Sequence, residues 1–202
     1  VETKEKEIKI VIAIPSSDAS GMNVLTAQCI GAAIIEAGGL VVDIIVRRSC
    51  DIVSNRTWLV NKAIEVGGTH ILFVDCDMLF PAGVIKQMLS HNKEIVGVEY
   101  NGRTFPLKGV FEPLEERKEN ELYKAKFTGM GLMLIDLTIF NDPKFGVDVE
   151  GKRSPWFNFG RDSQGALALG EDAWFSFVAR DAGYDTWLDP TIKMYHLGEY
   201  GY

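Results

Sequence analysis

The sequence predicts a single α/β domain whose sheet is mostly parallel, and three observations carry that expectation. Short apolar runs alternate with stretches of helical length, glycine pairs close the helical stretches, and no internal repeat, low-complexity tract or linker divides the chain. Strands separated by helices are joined by crossovers, and crossovers make parallel neighbours. The 202 residues, 47% hydrophobic and 24% charged, suffice to bury one core. In such a sheet, ligands gather outside the carboxyl ends of the strands.

The elements follow in order. "IKIVIAIP" is a continuous apolar run that reads as a buried strand, and "PSSDASG" after it reads as a loop. Residues 22–37 carry a helical pattern closed by Gly38 and Gly39, and "LVVDIIV" supplies a second strand. A second helix is expected over about 54–66, ended by Gly67 and Gly68 before the strand "HILFVD". Pro81 suits the first turn of a third helix, "AGVIKQMLS", which leads into the strand "EIVGVEY". Residues 101–126 mix charged and aromatic side chains and read as a surface excursion with one hairpin. In "GMGLMLIDLTIF", Gly129 and Gly131 permit close backbone approach and "LMLID" reads as a strand. A long, weakly patterned loop over 141–169 contains "SPWFNFGRD", and loops of that length are commonly functional. "GEDAWFSFVARDAG" then opens a helix at its acidic end and closes it at Gly183. "YDTWLDPTIKMYHLG" gives a short strand, a proline turn and a last strand reaching His196.

Composition excludes several classes. A net charge of −7, with no Lys/Arg-rich stretch, argues against a nucleic-acid groove. Cys29, Cys50 and Cys76 are odd in number and form no CxxC pair, so neither a disulfide framework nor a zinc ribbon is expected. The charged lead-in "VETKEKEIK" does not read as a signal peptide, and polar residues interrupt the longest apolar tract, over 24–46, so no membrane span is expected. The chain therefore reads as reduced and cytoplasmic, with "NRT" at 55–57 an unused glycosylation sequon.

The chemistry concentrates in three places. In "HILFVDCDMLF", Asp75 and Asp77 stand one residue apart after an apolar run, and in an extended strand both would project to one face. Like charges held that close require either a proton or a cation between them. Glu171 and Asp172 open the last helix, where acidic side chains also serve the helix dipole. His196 ends the last strand. An anionic substrate of so acidic a chain needs a local positive charge, and a bound metal ion supplies one.

The ordered series "THILFVDCDMLF", "TGMGLMLID", "GEDAWFSFVARDAGYDTWLDP" and "KMYHLG" resembles GT-A-type nucleotide-sugar glycosyltransferases, particularly family 2-like members, including short phage-type ones. The resemblance spans about residues 8–198 and implies one GT-A domain, with a nucleotide-binding half over about 8–100 and an acceptor and catalytic half over about 101–198. It implies Mn²⁺ or Mg²⁺ held by Asp77 and His196, with Asp75 on the ribose or reaching the metal through water. It also implies Asp172 as the base that deprotonates the acceptor hydroxyl in an inverting displacement, with Glu171 beside it. Nucleotide contacts are expected from Pro15, Ser16, Asp18, Cys76 and Arg56. The resembled families commonly carry Ala-Arg-Asn where this chain has Ser-Asn-Arg, so Arg56 reads equally as a donor contact or as part of a solvated helix face. Trp156 is the sugar-stacking candidate on the acceptor side, with Gly129 and Gly131 nearby, and core packing is the competing reading of that tryptophan. The donor is expected to be a UDP-sugar. The acceptor hydroxyl could belong to a glycan, a lipid-linked sugar, a protein or a modified nucleotide.

Three rivals share parts of this pattern. A non-catalytic nucleotide-sugar or glycan-binding module would keep every residue named above. Haloacid dehalogenase-like phosphatases also end a strand in D-x-D, but usually follow it with Gly/Thr-Thr/Val, where this chain has Met78-Leu79-Phe80. A nucleotidyltransferase would place a basic glycine-rich loop early, and "PSSDASG" has no Lys or Arg.

Overall fold

The structure is a computed structural model and describes residues 7–17, 21–103, 105–146 and 155–198. Strand β1 (Ile10–Ser16) is buried along its whole length. Helix α1 (Val24–Ala37) starts two residues later than the pattern suggests, because Asn23 caps it by accepting from the Leu25 N–H. It stops at Gly38, whose φ of 64° is a left-handed conformation that favours glycine. Strand β2 (Val41–Arg48) follows, and then α2 (Ile52–Glu65). The side chain of Asp51 accepts from the N–H groups of Val53 and Ser54, which moves that helix start ahead of the expected residue 54.

After β3 (His70–Val74) the chain turns into a two-residue strand, β4 (Met78–Leu79). Helix α3 (Val84–Ser90) therefore begins later than Pro81, which instead lies in the preceding turn, its carbonyl accepting from the Val84 N–H. Strand β5 (Ile95–Val98) precedes the expected hairpin, β6 (Phe111–Pro113) and β7 (Tyr123–Thr128). Strand β8 (Leu132–Asp136) continues into a short 3₁₀ helix (Leu137–Asn141), where Asp136 caps the turn through the Thr138 N–H. The long loop holds a small ribbon, β9 (Gly160–Arg161) and β10 (Leu167–Leu169). Helix α4 (Glu171–Asp181), β11 (Thr186–Asp189) and β12 (Tyr195–His196) complete the described chain.

Eight strands form one sheet in the order β2-β1-β3-β8-β5-β11-β7-β6. Strands β2, β1, β3, β5, β11 and β6 share one direction, while β8 and β7 run against them, so the sheet is mixed, with most strands pointing one way. The departure from a parallel sheet is the insertion of β8 between β3 and β5. Residues 132–136 are apolar enough to be buried on both faces, and composition alone does not give their direction.

Alternation along β1 divides the core. Ile10, Ile12 and Ile14 join α1 and α3 on one face, and Val11 and Ala13 join α2 and α4 on the other. Each fully buried Ile, Leu or Phe on those faces contributes roughly 1.5–3 kcal/mol. Gly68 is required at the end of α2, since a Cβ there would lie 2.8 Å from Val11 Cγ2 and 2.9 Å from the Ala63 carbonyl oxygen. The β6–β7 hairpin is tied to the sheet by Arg117, which donates twice to Glu99, at 2.8 and 2.7 Å. No helix among the described residues is long and apolar enough to cross a membrane.

Candidate active site

The residues 75–77 are held by backbone bonds from three directions. The Asp75 N–H donates to the Gly131 carbonyl (3.0 Å), the Asn23 N–H to that of Cys76 (2.8 Å), and the Leu197 N–H to that of Asp77 (2.7 Å). The Cys76 thiol donates to the Pro15 carbonyl at 3.4 Å. Burial pushes that thiol up, which keeps it protonated. Pairing in β3 ends at Val74, so Asp75 and Asp77 lie in a turn rather than in an extended strand, and the same-face argument does not apply. Each carboxylate finds its own cation.

Asp75 turns to Arg56, whose Nη2 lies 3.2 Å from its Oδ1, and Arg56 Nε lies 3.2 Å from Glu171 Oε1. The Arg56 side chain is 4% exposed and sits over the Phe73 ring, 5.2 Å from its centroid. This places Arg56 in the site and removes the solvated-face reading. Burial works against its charge, but Asp75, Glu171 and Asp172 outweigh burial and raise its pKa. Its Nη1 is buried with no hydrogen-bond partner among the described residues. The preceding Asn55 is buried too, its amide donating to the carbonyls of Ser16 (3.3 Å) and Arg47 (3.1 Å), so the sequon is closed to a glycan in the folded chain.

Asp77 faces the other way. Its Oδ1 lies 3.4 Å from His196 Nε2, and its Oδ2 lies 2.9 Å from Arg103 Nη1. Burial would raise this carboxyl, yet His196 and Arg103 hold it below the ordinary aspartate value. The pairing of β12 with β4 sets His196 beside Met78 and so delivers the imidazole to the turn. Nδ1 of His196 is buried and has no partner among the described residues. The Tyr100 ring meets the imidazole edge-on, 5.7 Å between centroids, and its hydroxyl accepts from the Gly131 N–H at 3.2 Å. A Cβ at Gly129 would fall 2.0 Å from that hydroxyl, and one at Gly131 would fall 2.7 Å from Met78 Cε. The close approach that these glycines allow is thus to Tyr100 and Met78. Arg103 and Tyr100 are residues of the candidate site that the sequence reading missed, Arg103 at the start of the segment read as a surface excursion and Tyr100 at the end of the strand read before it.

On the opposite side, Glu171 and Asp172 occupy the first turn of α4. Burial first, and then the neighbouring Glu171 charge, raise the Asp172 carboxyl above the ordinary aspartate value. Asp75 is likewise raised by burial, with Arg56 opposing. Four carboxylates, Asp75, Asp77, Glu171 and Asp172, therefore surround two guanidiniums, Arg56 and Arg103. A cleft of about 240 Å³ runs between them, lined by Pro15, Ser17, Ile52, Cys76 and His196 together with Arg56, Arg103, Asp75, Asp77 and Glu171, while Asp172 stands beside Glu171 and does not line it. It adjoins a second cleft of about 390 Å³ that shares Cys76, Asp77 and Arg103 and extends towards Asn23 and Gly198.

Ser16 is buried in β1 and does not line the cleft, and Asp18 lies outside the described residues. Trp156 packs edge-on against Phe140, 4.9 Å between centroids, beside an aromatic cluster in which Phe157 stacks on Phe175 at 5.2 Å. That contact serves the core.

The donor set was tested against Mn²⁺ or Mg²⁺. Among the described residues no three His, Cys, Asp or Glu side chains gather as a metal cluster, and Asp75 is engaged by Arg56. Asp77 and His196 do converge, with ligating atoms 3.4 Å apart. Two atoms each ~2.1 Å from one octahedral ion sit about 3 Å apart, so the pair fits two adjacent positions. Such ions ordinarily take one or two protein ligands and complete their shell from phosphate and water.

No protein-family model and no curated protein matches the sequence. Among solved structures, the chain is similar to the A197 protein from STIV, with a TM-score of 0.62 and 15% identity over 95% of this chain and 87% of that one. It is also similar to GalNAc-T7, solved with UDP, GalNAc and Mn²⁺, with a TM-score of 0.52 and 12% identity. There the alignment covers 95% of this chain and 44% of GalNAc-T7. At these identities the likeness is one of fold, and it is the GT-A-like fold.

Proposed function

We propose that the chain is a divalent-metal-dependent glycosyltransferase that moves a sugar from a nucleoside diphosphate, with UDP favoured, onto an acceptor hydroxyl. The observation that carries the reading is the unbalanced charge of the cleft: Asp75, Asp77 and Glu171, with Asp172 beside them, face two guanidiniums, and buried polar atoms on Arg56 and His196 are unmet among the described residues. Counting Asp172, the excess is two negative charges, which a dication matches. The unmet Arg56 Nη1 suits an anionic oxygen. A nucleotide diphosphate with its metal ion satisfies both at once, and the fold shared with GalNAc-T7 supports the same reading.

In this assignment Asp77 and His196 hold Mn²⁺ or Mg²⁺, Asp75 serves the ribose or reaches the ion through water, and Pro15 and Cys76 border the nucleotide. When bound, the ion neutralises charge that develops on the leaving diphosphate. Arg56 fixes Asp75 and Glu171 relative to each other, which keeps donor and acceptor sides in register. Asp172 takes the proton from the acceptor hydroxyl at its carboxylate oxygen, and its raised pKa makes it a stronger base. Arg103 holds Asp77 through Oδ2 and is exposed enough to turn to a phosphate. Trp156 would contribute to an acceptor subsite only if a ligand reached the edge of the core aromatic cluster.

Calorimetric titration with UDP, GDP, dTDP and CMP, with Mn²⁺ and with EDTA, tests the reading beside an Asp77→Ala variant. The expected outcome is tight binding of one nucleotide diphosphate that is lost with EDTA and in the variant. Absence of metal-dependent binding to all of them would sink the donor-site assignment. Binding without transfer to any acceptor and without donor hydrolysis would leave a binding module.

A further inference from the structure

The two edges of the sheet are built differently. The far edge, β6, has three residues, ends on Pro113 and carries a bulge between Glu112 and Pro113, all features that discourage strand addition. The near edge, β2, has eight residues, no proline, and among the described residues pairs with β1 alone. One irregularity at its start precedes a regular stretch from Asp43 to Arg48. On one face of that strand Val42, Ile44 and Val46 are 47%, 44% and 52% exposed. Ile44 and Val46 stand in register with Ile12 and Ile14, but α1 packs further along the sheet and leaves them uncovered.

The peptide groups tell which side is open. The Ser49 N–H donates to the Ser16 carbonyl at 2.9 Å, so odd-numbered residues of the regular stretch turn their peptide groups to β1 and Ile44 and Val46 turn theirs outward. The Ile44 N–H accordingly has no strand among the described residues to donate to and uses the adjacent Asp43 carboxylate, at 2.8 Å. That is a local substitute for a missing neighbour.

We propose that β2 is a self-association edge, on which a second copy of this chain places its own β2 antiparallel about a two-fold axis at Ile45. In that register Ile44 and the partner's Val46 exchange N–H···O=C bonds, and the symmetry supplies a second such pair. The exposed β-branched side chains meet across the axis. Asp43 stands opposite the partner's Arg47 and Arg47 opposite the partner's Asp43, so the charge pattern is self-complementary. Arg47 is already positioned, with Nη1 donating to the Ser54 carbonyl at 2.7 Å and the guanidinium over the Trp58 ring at 5.1 Å. The Asp43 carboxylate leaves the Ile44 N–H and takes the partner's arginine.

The experiment is sedimentation velocity over a concentration series for the wild-type chain, Asp43→Arg, Arg47→Asp, the double charge exchange, and Val46→Lys. Melting temperature is followed in parallel to confirm folding. The expected result is a wild-type particle of twice the chain mass. Each single reversal weakens association at least about tenfold, the cost of like charges held opposite one another with strand bonds lost. The double exchange recovers association, and Val46→Lys gives a folded monomer. If Arg47→Asp fails to fold, Asp43→Arg and Val46→Lys still decide, since both positions are exposed. A wild-type chain that stays monomeric throughout the series overturns the proposal. So does a dimer indifferent to Asp43→Arg and Val46→Lys.

Discussion

At the carboxyl end of β11, Asp189 is enclosed by donors: Gln87 Nε2 at 3.0 Å, His91 Nε2 at 2.7 Å, and the Thr191 N–H and hydroxyl at 2.8 and 2.6 Å. At the carboxyl end of β3, Asp75 and Asp77 are only partly enclosed, crowded by two further carboxylates, and bordered by buried polar atoms with no partner among the described residues. Both centres are aspartates at strand ends of one sheet. A polar network that completes itself contributes stability, while one that leaves donors and charge unmet is complete only with something else bound.

The comparison breaks most sharply in turnover. Asp172→Asn is expected to lower kcat by ~10²- to 10⁴-fold with nucleotide affinity unchanged, since it removes the proposed base and leaves the proposed donor side intact. Steady-state kinetics beside calorimetry separate the two effects, and equal losses in both would place Asp172 in donor binding instead.

Stability gives the next effect. Arg56→Met leaves Asp75 and Glu171 enclosed without their cation and is expected to cost about 3 kcal/mol in chemical denaturation. Asp189→Ala strands the groups around it and is expected to cost about 2 kcal/mol, with metal-dependent nucleotide binding retained. Asp77→Ala should do the reverse: binding is lost while stability changes by less than about 1 kcal/mol, because its partner Arg103 is exposed. If Asp189→Ala abolished binding while Asp77→Ala unfolded the chain, the contrast between the two centres would be wrong.

The smallest effects are in pH. Burial would raise the Asp189 carboxyl, but its hydrogen bonds hold it below the ordinary 3.8. Its stabilisation is therefore complete above pH 3.8 and is lost as pH falls through the depressed folded value, which thermal melts from pH 5 to 2 would follow and which Asp189→Ala would lack. Asp172 is shifted the other way, so the acid limb of kcat should lie above 3.8, with rate falling as the carboxylate takes up its proton. Glu171→Gln removes a like charge and should move that limb to lower pH. A limb that stays in place would assign it to another group.

Much of this was legible in the chain itself. The all-apolar β1, the glycine-ended α1, the strand before Asp75 and the acidic opening of α4 are local patterns, and local patterns report local structure. The D-x-D pair, the acidic pair and His196 were picked out by residue type, and the fold brings them to one end of the sheet. Arg56 was visible with an open orientation, because one residue of helical register moves a side chain by 100° and the sequence does not state which face α2 buries.

Other features were decided by tertiary structure alone. The antiparallel insertion of β8 between β3 and β5 depends on which strand lies beside which, and an apolar run buried on both faces carries no direction. The divergence of Asp75 and Asp77 depends on a turn fixed by backbone bonds from residues 131, 23 and 197, all distant in sequence. Arg103 reached the site from a segment with no pattern of its own, because an ion pair needs only one charge in the right place. The sequence by itself determined the elements, the two-sided core and the inventory of charged groups, since period and composition are local properties. The partner of each charge was settled only by the folded chain, since electrostatic pairing is set by distance in space.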